Sequence, residues 1–423
     1  MRLAVVLGAS IAGLLSARVL SEACDRVLIV DRDRLAGAAP RRGAPQARHL
    51  HGLMERGRQI IETLYPGMTA ELAGQGAPTT EVLRESRWYL SGLRVFPTAT
   101  GLTTLLASRP LLEHGIRERT LALPGVELLD ERAATGLLGG RRITGVRLAD
   151  GTELAADLVV DATGRGSRAG DWLASLGHAR PEEDRIEVDL GYASRTYRRK
   201  PEHLDGDLAV VVSTMPGFRG GGAITLEGDR WHVTLAGMLG DHPPTGHEEF
   251  ERFAATLPVA DVHSIVRDAE PLEDPVPHRF RGSLRRRYEK ISDAPQGFLA
   301  IGDAVCSFNP LYAQGMTVAA QQALVLRDCL PHPDPVRFYR GVAEVVDTAW
   351  AMSTGSDLRY PGVEGPRSLR SRIIGAYSAR AQVAAHRDPV VARTFMRTAN
   401  LTIPPTALLA PAVVTRVLRR GGK

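Results

Sequence analysis

A glycine-rich turn near the start of the chain has the residue types that bind a phosphate group. The pattern Gly8-x-Ser10-x-x-Gly13 follows an apolar run and opens a stretch with helical spacing of apolar residues, so it predicts a turn from a strand into a helix. Gly8 would permit the tight turn, and Gly13 would let the helix pack closely on the sheet. The free backbone N–H groups around Ser10, Ile11 and Ala12 would then face a pyrophosphate at the positive end of the helix dipole.

An acidic residue stands at the end of the next predicted strand. Apolar runs predict strands at Arg2–Leu7 and Arg26–Asp31, with a helix at Ile11–Glu22 between them. Asp31 would accept hydrogen bonds from a ribose diol. The glycine-rich turn alone is also typical of a tight turn that binds nothing. With Asp31 in place, the pattern predicts a nucleotide-binding domain.

Two later segments indicate which nucleotide is bound. Asp157–Arg168 predicts a buried strand that runs into a glycine-rich turn at Gly164, close to a phosphate. Asp303 follows a second predicted strand, Phe298–Ile301, and its carboxylate can hold a ribityl or ribose hydroxyl. The helix that begins at Gly315 offers N–H groups to a pyrophosphate or to the pyrimidine edge of a flavin. Together the segments favour a flavin nucleotide.

These three segments, in this order, resemble the FAD-dependent monooxygenases built like 4-hydroxybenzoate hydroxylase, over about residues 1–345. The resemblance implies that FAD is the cofactor. It also implies that an arginine after the second strand and another at the start of a central helix meet the FAD phosphates. The predicted FAD-binding residues are Gly8, Ser10, Ile11, Ala12, Gly13, Asp31, Arg32, Arg42, Arg109, Gly164, Asp303, Pro310, Gly315 and Met316.

The chain departs from the hydroxylase pattern in the middle segment. Asp161–Arg165 stands where an Asp-Gly pair is usual. That variant, with the Pro45–His51 loop and the Phe308–Tyr312 segment, is more similar to bacterial polyene epoxidases of polyether biosynthesis, which are relatives of squalene epoxidase. The tail Gly355–Gly365 resembles theirs as well.

The resemblance implies a flavin-dependent monooxygenase of secondary metabolism. Reduced FAD would react with O2 to give a C4a-hydroperoxide, which would epoxidise or hydroxylate a hydrophobic polyene, isoprenoid or polyketide. No side chain is assigned as catalytic, because epoxidation requires no base. Two alternatives stay open: an FAD-dependent reductase or dehydrogenase acting on isoprenoid double bonds, and an aromatic hydroxylase. Side chains that could converge on the pocket are Tyr192, Arg195, His232 and Tyr312.

The source of electrons follows from the number of dinucleotide patterns. A second glycine-rich run, Gly217–Gly222, lacks a preceding buried strand, a following helix and an acidic ribose partner, so we predict a loop there. We therefore expect NADPH or NADH to act as a transient reductant, or electrons to arrive through a separate flavin reductase.

Composition excludes several other classes of protein. The three cysteines, Cys24, Cys306 and Cys329, have no metal-ligand spacing, so we expect no metal site and a reducing, cytoplasmic setting. No run of about twenty apolar residues predicts a transmembrane segment. The net charge of +5 is dispersed. The clusters Arg198–Lys200 and Arg285–Arg287 are interpreted as solvated faces, and no nucleic-acid partner is expected.

The order of patterns predicts an α/β fold in which a Rossmann-like FAD-binding domain of the glutathione reductase type carries an inserted antiparallel sheet. Strands are expected from Glu153 to Asp161 without a break, and repeatedly between residues 181 and 281. Beyond Val336 the pattern is helical and broken by prolines. The predicted units are an FAD-binding domain (1–75, 98–180 and 282–345), a substrate-binding sheet domain (76–97 and 181–281) and a C-terminal helical region (346–423).

Overall fold

Residues 1–422 are described by a computed structural model, and they form strands and helices in alternation. The strands are β1 (Leu3–Leu7), β2 (Arg26–Val30), β3 (Thr79–Glu81), β4 (Ser86–Leu90), β5 (Leu93–Arg94), β6 (Thr103–Leu105), β7 (Val126–Leu129), β8 (Ala134–Gly139), β9 (Ile143–Leu148), β10 (Glu153–Ala155), β11 (Leu158–Asp161), β12 (Glu183–Arg198), β13 (Ala209–Val212), β14 (Arg219–Leu226), β15 (Arg230–Gly237), β16 (Val276–Arg286), β17 (Phe298–Ala300) and β18 (Cys306–Ser307). The α-helices are α1 (Ile11–Leu20), α2 (Glu55–Leu64), α3 (Met68–Gly74), α4 (Arg109–Leu121), α5 (Ala169–Ser175), α6 (His247–Ala255), α7 (Asp261–Asp268), α8 (Gly315–Asp328), α9 (Pro335–Asp357), α10 (Leu369–Ala385), α11 (Pro389–Ala399) and α12 (Pro411–Arg420).

A parallel sheet of five strands carries the nucleotide-binding motifs. Its strand order is β17-β11-β1-β2-β7, and every neighbouring pair is parallel. The strands β1 and β17 are short, continuous apolar runs, as expected for a sheet covered on both faces. Helix α1 packs against both α4 and α8. The predicted α/β class, and the strand, turn and helix that open the chain, are confirmed.

An eight-stranded sheet, in the order β18-β16-β12-β15-β14-β13-β4-β5, is antiparallel except for the β4–β13 pair. Side chains alternate across it, so its two faces differ. One face, which includes Tyr197, Trp231 and Leu235, packs against α6 and α7. The opposite face presents Tyr192, Ser194 and other alternating residues to the rest of the molecule. One face of this sheet therefore belongs to a hydrophobic core, and the opposite face is available to a functional site.

Two predictions about strands are wrong. Residues Glu153–Asp161 form two strands, because the chain changes sheets: β10 pairs with β9, whereas β11 joins the parallel sheet. Between them, the Asp157 carboxylate accepts hydrogen bonds from the backbone N–H groups of Arg2 and Leu3, at 2.7 and 3.1 Å. The second glycine-rich run is not a loop, because its residues 219–222 belong to β14. A Cβ at Gly220 would lie 2.6 Å from the Val212 carbonyl oxygen, so the absent side chains permit close strand contact.

The arginine cluster Arg285–Arg287 is not a solvated face. Arg285 is almost completely buried and forms ion pairs with Glu289 at 2.9 Å and Asp347 at 2.6 Å. Arg286 is buried as well and donates hydrogen bonds to the carbonyl oxygens of Ala304 and Arg165. A guanidinium can be buried when carboxylates pair with its charge or carbonyl oxygens accept its hydrogen bonds. The cluster thus holds β16 to the turns that follow β11 and β17.

The chain beyond β18 is helical, as predicted. Helices α10, α11 and α12 share a small apolar core with Val82, Leu83, Val95 and Leu102. Among residues 1–422, no helix is both long and apolar enough to cross a bilayer. The three cysteines are free within this part of the chain. The division into three units with the stated boundaries stays a prediction.

Candidate functional site

The glycine-rich turn is held by contacts that only glycine permits. Gly8 has a φ of +99°, and a Cβ there would lie 2.6 Å from the Ala162 carbonyl oxygen. A Cβ at Gly13 would lie 1.8 Å from the Gly8 carbonyl oxygen. Helix α1 begins directly after Ser10, and no side chain caps its N-terminus. Its first N–H groups therefore remain available to an anion.

Asp31 lies beside this turn, at the end of β2. One carboxylate oxygen accepts a hydrogen bond from the Ala9 backbone N–H at 2.7 Å, and the other accepts from the Asp33 N–H at 2.9 Å. The Arg41 guanidinium lies 3.0 Å from the same carboxylate. The carboxylate is thus fixed next to the helix N-terminus, and its role as a ribose acceptor stays a prediction.

A buried acid and two arginines border the helix N-terminus. Ser10 donates a short hydrogen bond to Glu113 of α4 and accepts one from Arg109 at 3.0 Å. Glu113 also pairs with Arg109 at 2.6 Å and Arg41 at 3.4 Å. Burial alone would raise the pKa of Glu113, but the two guanidiniums more than offset this effect, so the pKa is lowered. Glu113 is an anion that orients two cations.

The segment after β17 meets the same helix end. Gly302 has a φ of +67°, and a Cβ there would lie 2.6 Å from Cβ of Ala12. A Cβ added at Gly164 would lie 4.0 Å from a side-chain atom of Asp303, and a Cβ added at Gly315 would lie 3.9 Å from another. Burial raises the pKa of Asp303, although Arg109 and Arg165 act in the opposite direction. The structure therefore brings the three predicted segments together.

Some predicted residues lie further from this cluster. Arg32 and Arg42 are exposed, and the arginine that contacts Asp31 and Glu113 is Arg41. Pro310 is exposed at the start of a 3-10 turn, whereas Met316 is buried in the first turn of α8. The roles of Arg32, Arg42 and Pro310 in FAD binding stay predictions.

Sequence reasoning missed Arg41 and Glu113. The signal for Glu113 was its spacing of four residues from Arg109 on the same helix, which places the two side chains together. Arg41 differs from the predicted Arg42 by one position in a loop. No periodic pattern specifies which of two adjacent loop residues points inward.

The segment after Phe308 is held by a buried carboxylate. Asp357, at the end of α9, accepts hydrogen bonds from the Asn309 amide and the Tyr312 hydroxyl through one oxygen, both at 2.8 Å. Its other oxygen is buried without a partner in the described residues. Burial raises the pKa of Asp357 to about 6. Nothing in the sequence pattern connects Asp357 with Tyr312, so this pair also went unrecognised.

The loop that contains His49 and His51 lies on the face of the eight-stranded sheet that carries Tyr192 and Ser194. The His49 ring contacts Tyr192 with a centroid separation of 4.6 Å, and its Nδ1 is 2.9 Å from the Ser194 hydroxyl. Burial lowers the pKa of His49 to about 3, and burial likewise lowers those of His51 and His232 to about 4. These imidazoles are neutral near pH 7. Of the other pocket candidates, Arg195 lies over the Tyr197 ring, on the opposite face of the sheet.

An apolar cluster connects the sheet with the Asn309–Tyr312 segment. Tyr192, Ala236 and Phe280 contribute from the sheet, and Leu311 packs against them. Tyr360 and Trp350 extend the same cluster from the end of α9 and the residues after it. A cluster of buried apolar side chains thus lies beside the segment that follows Asp303.

The donor set fits FAD. Free helix N–H groups and arginines suit a diphosphate, and carboxylates at Asp31 and Asp303 suit ribose and ribityl hydroxyls. Within residues 1–422, no group of three or more His, Cys, Asp or Glu side chains could hold a metal ion.

The comparisons with known proteins agree with this geometry. No protein-family profile matches the chain. PqsL, a probable FAD-dependent monooxygenase from Pseudomonas aeruginosa, superposes with a TM-score of 0.63 at 17% identity, over 92% of this chain and 97% of PqsL. Kynurenine 3-monooxygenase of Salinispora arenicola is 27% identical over 361 residues, which cover 78% of this chain and 73% of that protein.

Fold and site together match the architecture of FAD-dependent monooxygenases with the 4-hydroxybenzoate hydroxylase-like fold. By sequence, the chain belongs to the family of Protein Rv3254 of Mycobacterium tuberculosis, with 34% identity over 423 residues that cover 94% of this chain and 89% of Rv3254.

The position of Asp31 yields a first prediction. Asp31→Ala should weaken FAD binding by about 10- to 100-fold, because hydrogen bonds to a charged acceptor contribute about 1.5–3 kcal/mol. The dissociation constant can be measured by flavin fluorescence during titration of deflavinated protein. Asp25→Ala, an exposed aspartate at the opposite end of β2, is the control and should bind FAD like the wild type. Equal affinity for the two variants would place the adenosine half of FAD elsewhere.

Proposed function

We propose that the protein uses FAD to transfer one atom of O2 to a hydrophobic small molecule, and that the substrate is a polyene, isoprenoid or polyketide of secondary metabolism. The observation that carries this proposal is the apolar cluster of Tyr192, Ala236, Phe280 and Leu311 beside the Asn309–Tyr312 segment. The side chains beside the Asn309–Tyr312 segment are thus suited to an apolar ligand.

FAD would be held by the α1 N-terminus, Asp31, Asp303, Arg109 and Arg41. When bound and reduced, FAD supplies the oxygen-activating chemistry. The chain's own side chains bind the diphosphate, orient the flavin and keep water away. Exclusion of water by the apolar cluster would protect a reactive oxygen species from unproductive decay.

The pKa values favour epoxidation over hydroxylation of a phenol. Hydroxylation of a phenol is assisted by a base that takes the hydroxyl proton. His49 and His232 lie on the sheet face that carries Tyr192, but burial lowers their pKa values to about 3 and 4, so each imidazole is a weak base for a phenol proton. An alkene needs no such base.

An aromatic hydroxylase is the second candidate, because one relative of the chain is named kynurenine 3-monooxygenase and kynurenine carries an aromatic ring.

For either substrate, we propose that NADPH or NADH reduces the flavin after transient binding, or that a separate flavin reductase delivers the electrons.

The experiment supplies purified holoprotein with isotope-labelled O2, NADH or NADPH, and either squalene or 4-hydroxybenzoate, with and without an added flavin reductase. Mass spectrometry should find a squalene product that is one labelled oxygen atom heavier. A labelled oxygen atom in a product of 4-hydroxybenzoate instead would favour the aromatic hydroxylase. Nicotinamide oxidation with reduction of an isoprenoid double bond, and no label in any product, would contradict both and indicate a reductase.

A variant pair links the activity to the apolar cluster. Leu311→Asp places a charge there and should lower product formation at least about tenfold, because an unpaired charge in apolar surroundings is strongly unfavourable. Leu272→Asp, at an exposed leucine, should not change it. Flavin content should be equal in both variants, so that a change in product reports on the substrate.

A further inference from the structure

The charge of the chain is concentrated at one end of the sequence. Residues 365–423 contain eleven of the 53 lysines and arginines and one of the 48 acidic residues, a net charge of +10. The preceding 364 residues therefore carry a net charge of −5. The overall charge of +5 hides this asymmetry. A segment so strongly basic is suited to an anionic surface.

Most arginines in this segment have no acidic partner. Its single acid, Asp388, is buried at the start of α11 and pairs with Arg416 at 3.0 Å and Arg420 at 3.5 Å. Within residues 1–422, no carboxylate lies within 4.0 Å of the exposed Arg370 or Arg372. The positive potential around the first turns of α10 is therefore not neutralised inside the molecule.

The same turns carry exposed apolar side chains. Leu369, Ile373 and Ile374 are 71%, 62% and 56% exposed, which is unusual for aliphatic residues of this size. Leu409 is exposed as well, and the hydrogen bond from the Tyr377 hydroxyl to the Leu408 carbonyl oxygen, at 2.6 Å, holds it beside α10. We define the basic apolar surface by the side chains Leu369, Arg370, Arg372, Ile373, Ile374 and Leu409.

We propose that the basic apolar surface binds the face of an anionic lipid bilayer. Arginines attract anionic headgroups, while neighbouring aliphatic side chains insert at the boundary between headgroups and acyl chains. A second copy of the chain fits less well, because two surfaces of the same sign would meet. Charge complementarity thus selects the bilayer as the occupant. The proposal does not depend on which substrate the enzyme oxidises.

Binding to lipid would place the enzyme where hydrophobic molecules dissolve. Helix α10 would lie against the membrane surface at its first two turns, because its later residues Ala381, Ala384 and Ala385 are buried against α11 and α12. The contact is interfacial, in agreement with the finding that no described helix is suited to span a bilayer.

The test is co-sedimentation of the holoprotein with vesicles. Vesicles of phosphatidylcholine containing about one third phosphatidylglycerol should bind the protein, and pure phosphatidylcholine should bind much less. Binding should be lost in about 1 M NaCl, where the Debye length is only about 3 Å. Equal binding to both vesicles, or none to either, would overturn the proposal.

Paired variants locate the surface. Arg370→Gln combined with Arg372→Gln should weaken binding to anionic vesicles by about 30-fold, since each arginine near such a membrane contributes about 1 kcal/mol. Arg180→Gln with Arg252→Gln, at two exposed arginines outside the surface, is the matched control for charge. An equal loss in both pairs would mean that only net charge matters, and would overturn the assignment to α10.

The apolar part is tested by Ile373→Ser combined with Ile374→Ser, with Val336→Ser at an exposed position of α9 as the control. The serine pair should reduce binding at least about tenfold with unchanged flavin content, whereas the control should not. Sedimentation velocity on the same samples reports self-association. A dimer that the serine pair dissociates, without vesicle binding by the wild type, would assign the surface to a second copy instead.

Discussion

Replacing Glu113 by alanine is expected to lower the free energy of unfolding by about 3–5 kcal/mol, the usual effect of removing one partner from a buried ion pair. Arg109 is buried and would keep only the Ser10 hydroxyl as a hydrogen-bond partner. Arg41 would retain Asp31 and Asp33. The loss should therefore arise mainly from the uncompensated Arg109 guanidinium.

Denaturant unfolding with a constant excess of FAD measures this effect. Glu118→Ala, at an exposed glutamate of the same helix whose nearest base is His114 at 3.7 Å, is the control and should change stability by less than about 0.5 kcal/mol. Similar stability of the two variants would mean that Arg109 is not held by Glu113 in solution.

The pH dependence provides a second signature of Glu113. Because its pKa is lowered in the folded protein, its stabilisation is present above the ordinary glutamate pKa and is lost as the pH falls through the lowered value. The difference in unfolding free energy between wild type and Glu113→Ala should therefore shrink in acid.

Local patterns in the sequence were sufficient to predict the parts of the fold that depend on residues close together in the sequence. Helix α4 spans Arg109–Leu121 as predicted, because its apolar residues recur with helical spacing. The turn from β1 into α1 was equally predictable, since Gly8 and Gly13 are required by contacts within that unit.

Contacts between distant residues were not predictable in the same way. Ser10 and Glu113 are 103 residues apart, and Tyr312 and Asp357 are 45 apart, so only the packing of whole elements brings them together. The strand at residues 219–222 was missed for a different reason. Glycines carry no apolar signal, although close approach of neighbouring strands favours them there.

Asp357→Asn should change how stability depends on pH. In the folded protein, burial raises the pKa of Asp357 from 3.8 to about 6, so the folded state holds a proton that the unfolded chain releases between these values. A raised carboxylate pKa therefore destabilises the fold as the pH rises through that window. Asparagine carries no charge and should remove this cost. Its carbonyl oxygen can still accept the hydrogen bonds from Asn309 and Tyr312.

The measured quantity is the difference in unfolding free energy between Asp357→Asn and wild type. From about pH 4.5 to pH 7.5, this difference should shift in favour of the variant by about 2 kcal/mol, given about 1.4 kcal/mol for each pKa unit. Tyr312 and Tyr360, which face Asp357, have raised pKa values and do not titrate in that range. Asp328→Asn, at an exposed aspartate at the end of α8, is the control for loss of a carboxylate at the surface. Parallel curves for both variants would mean that Asp357 ionises in the folded protein at its ordinary pKa, and that the carboxylate is reached by water.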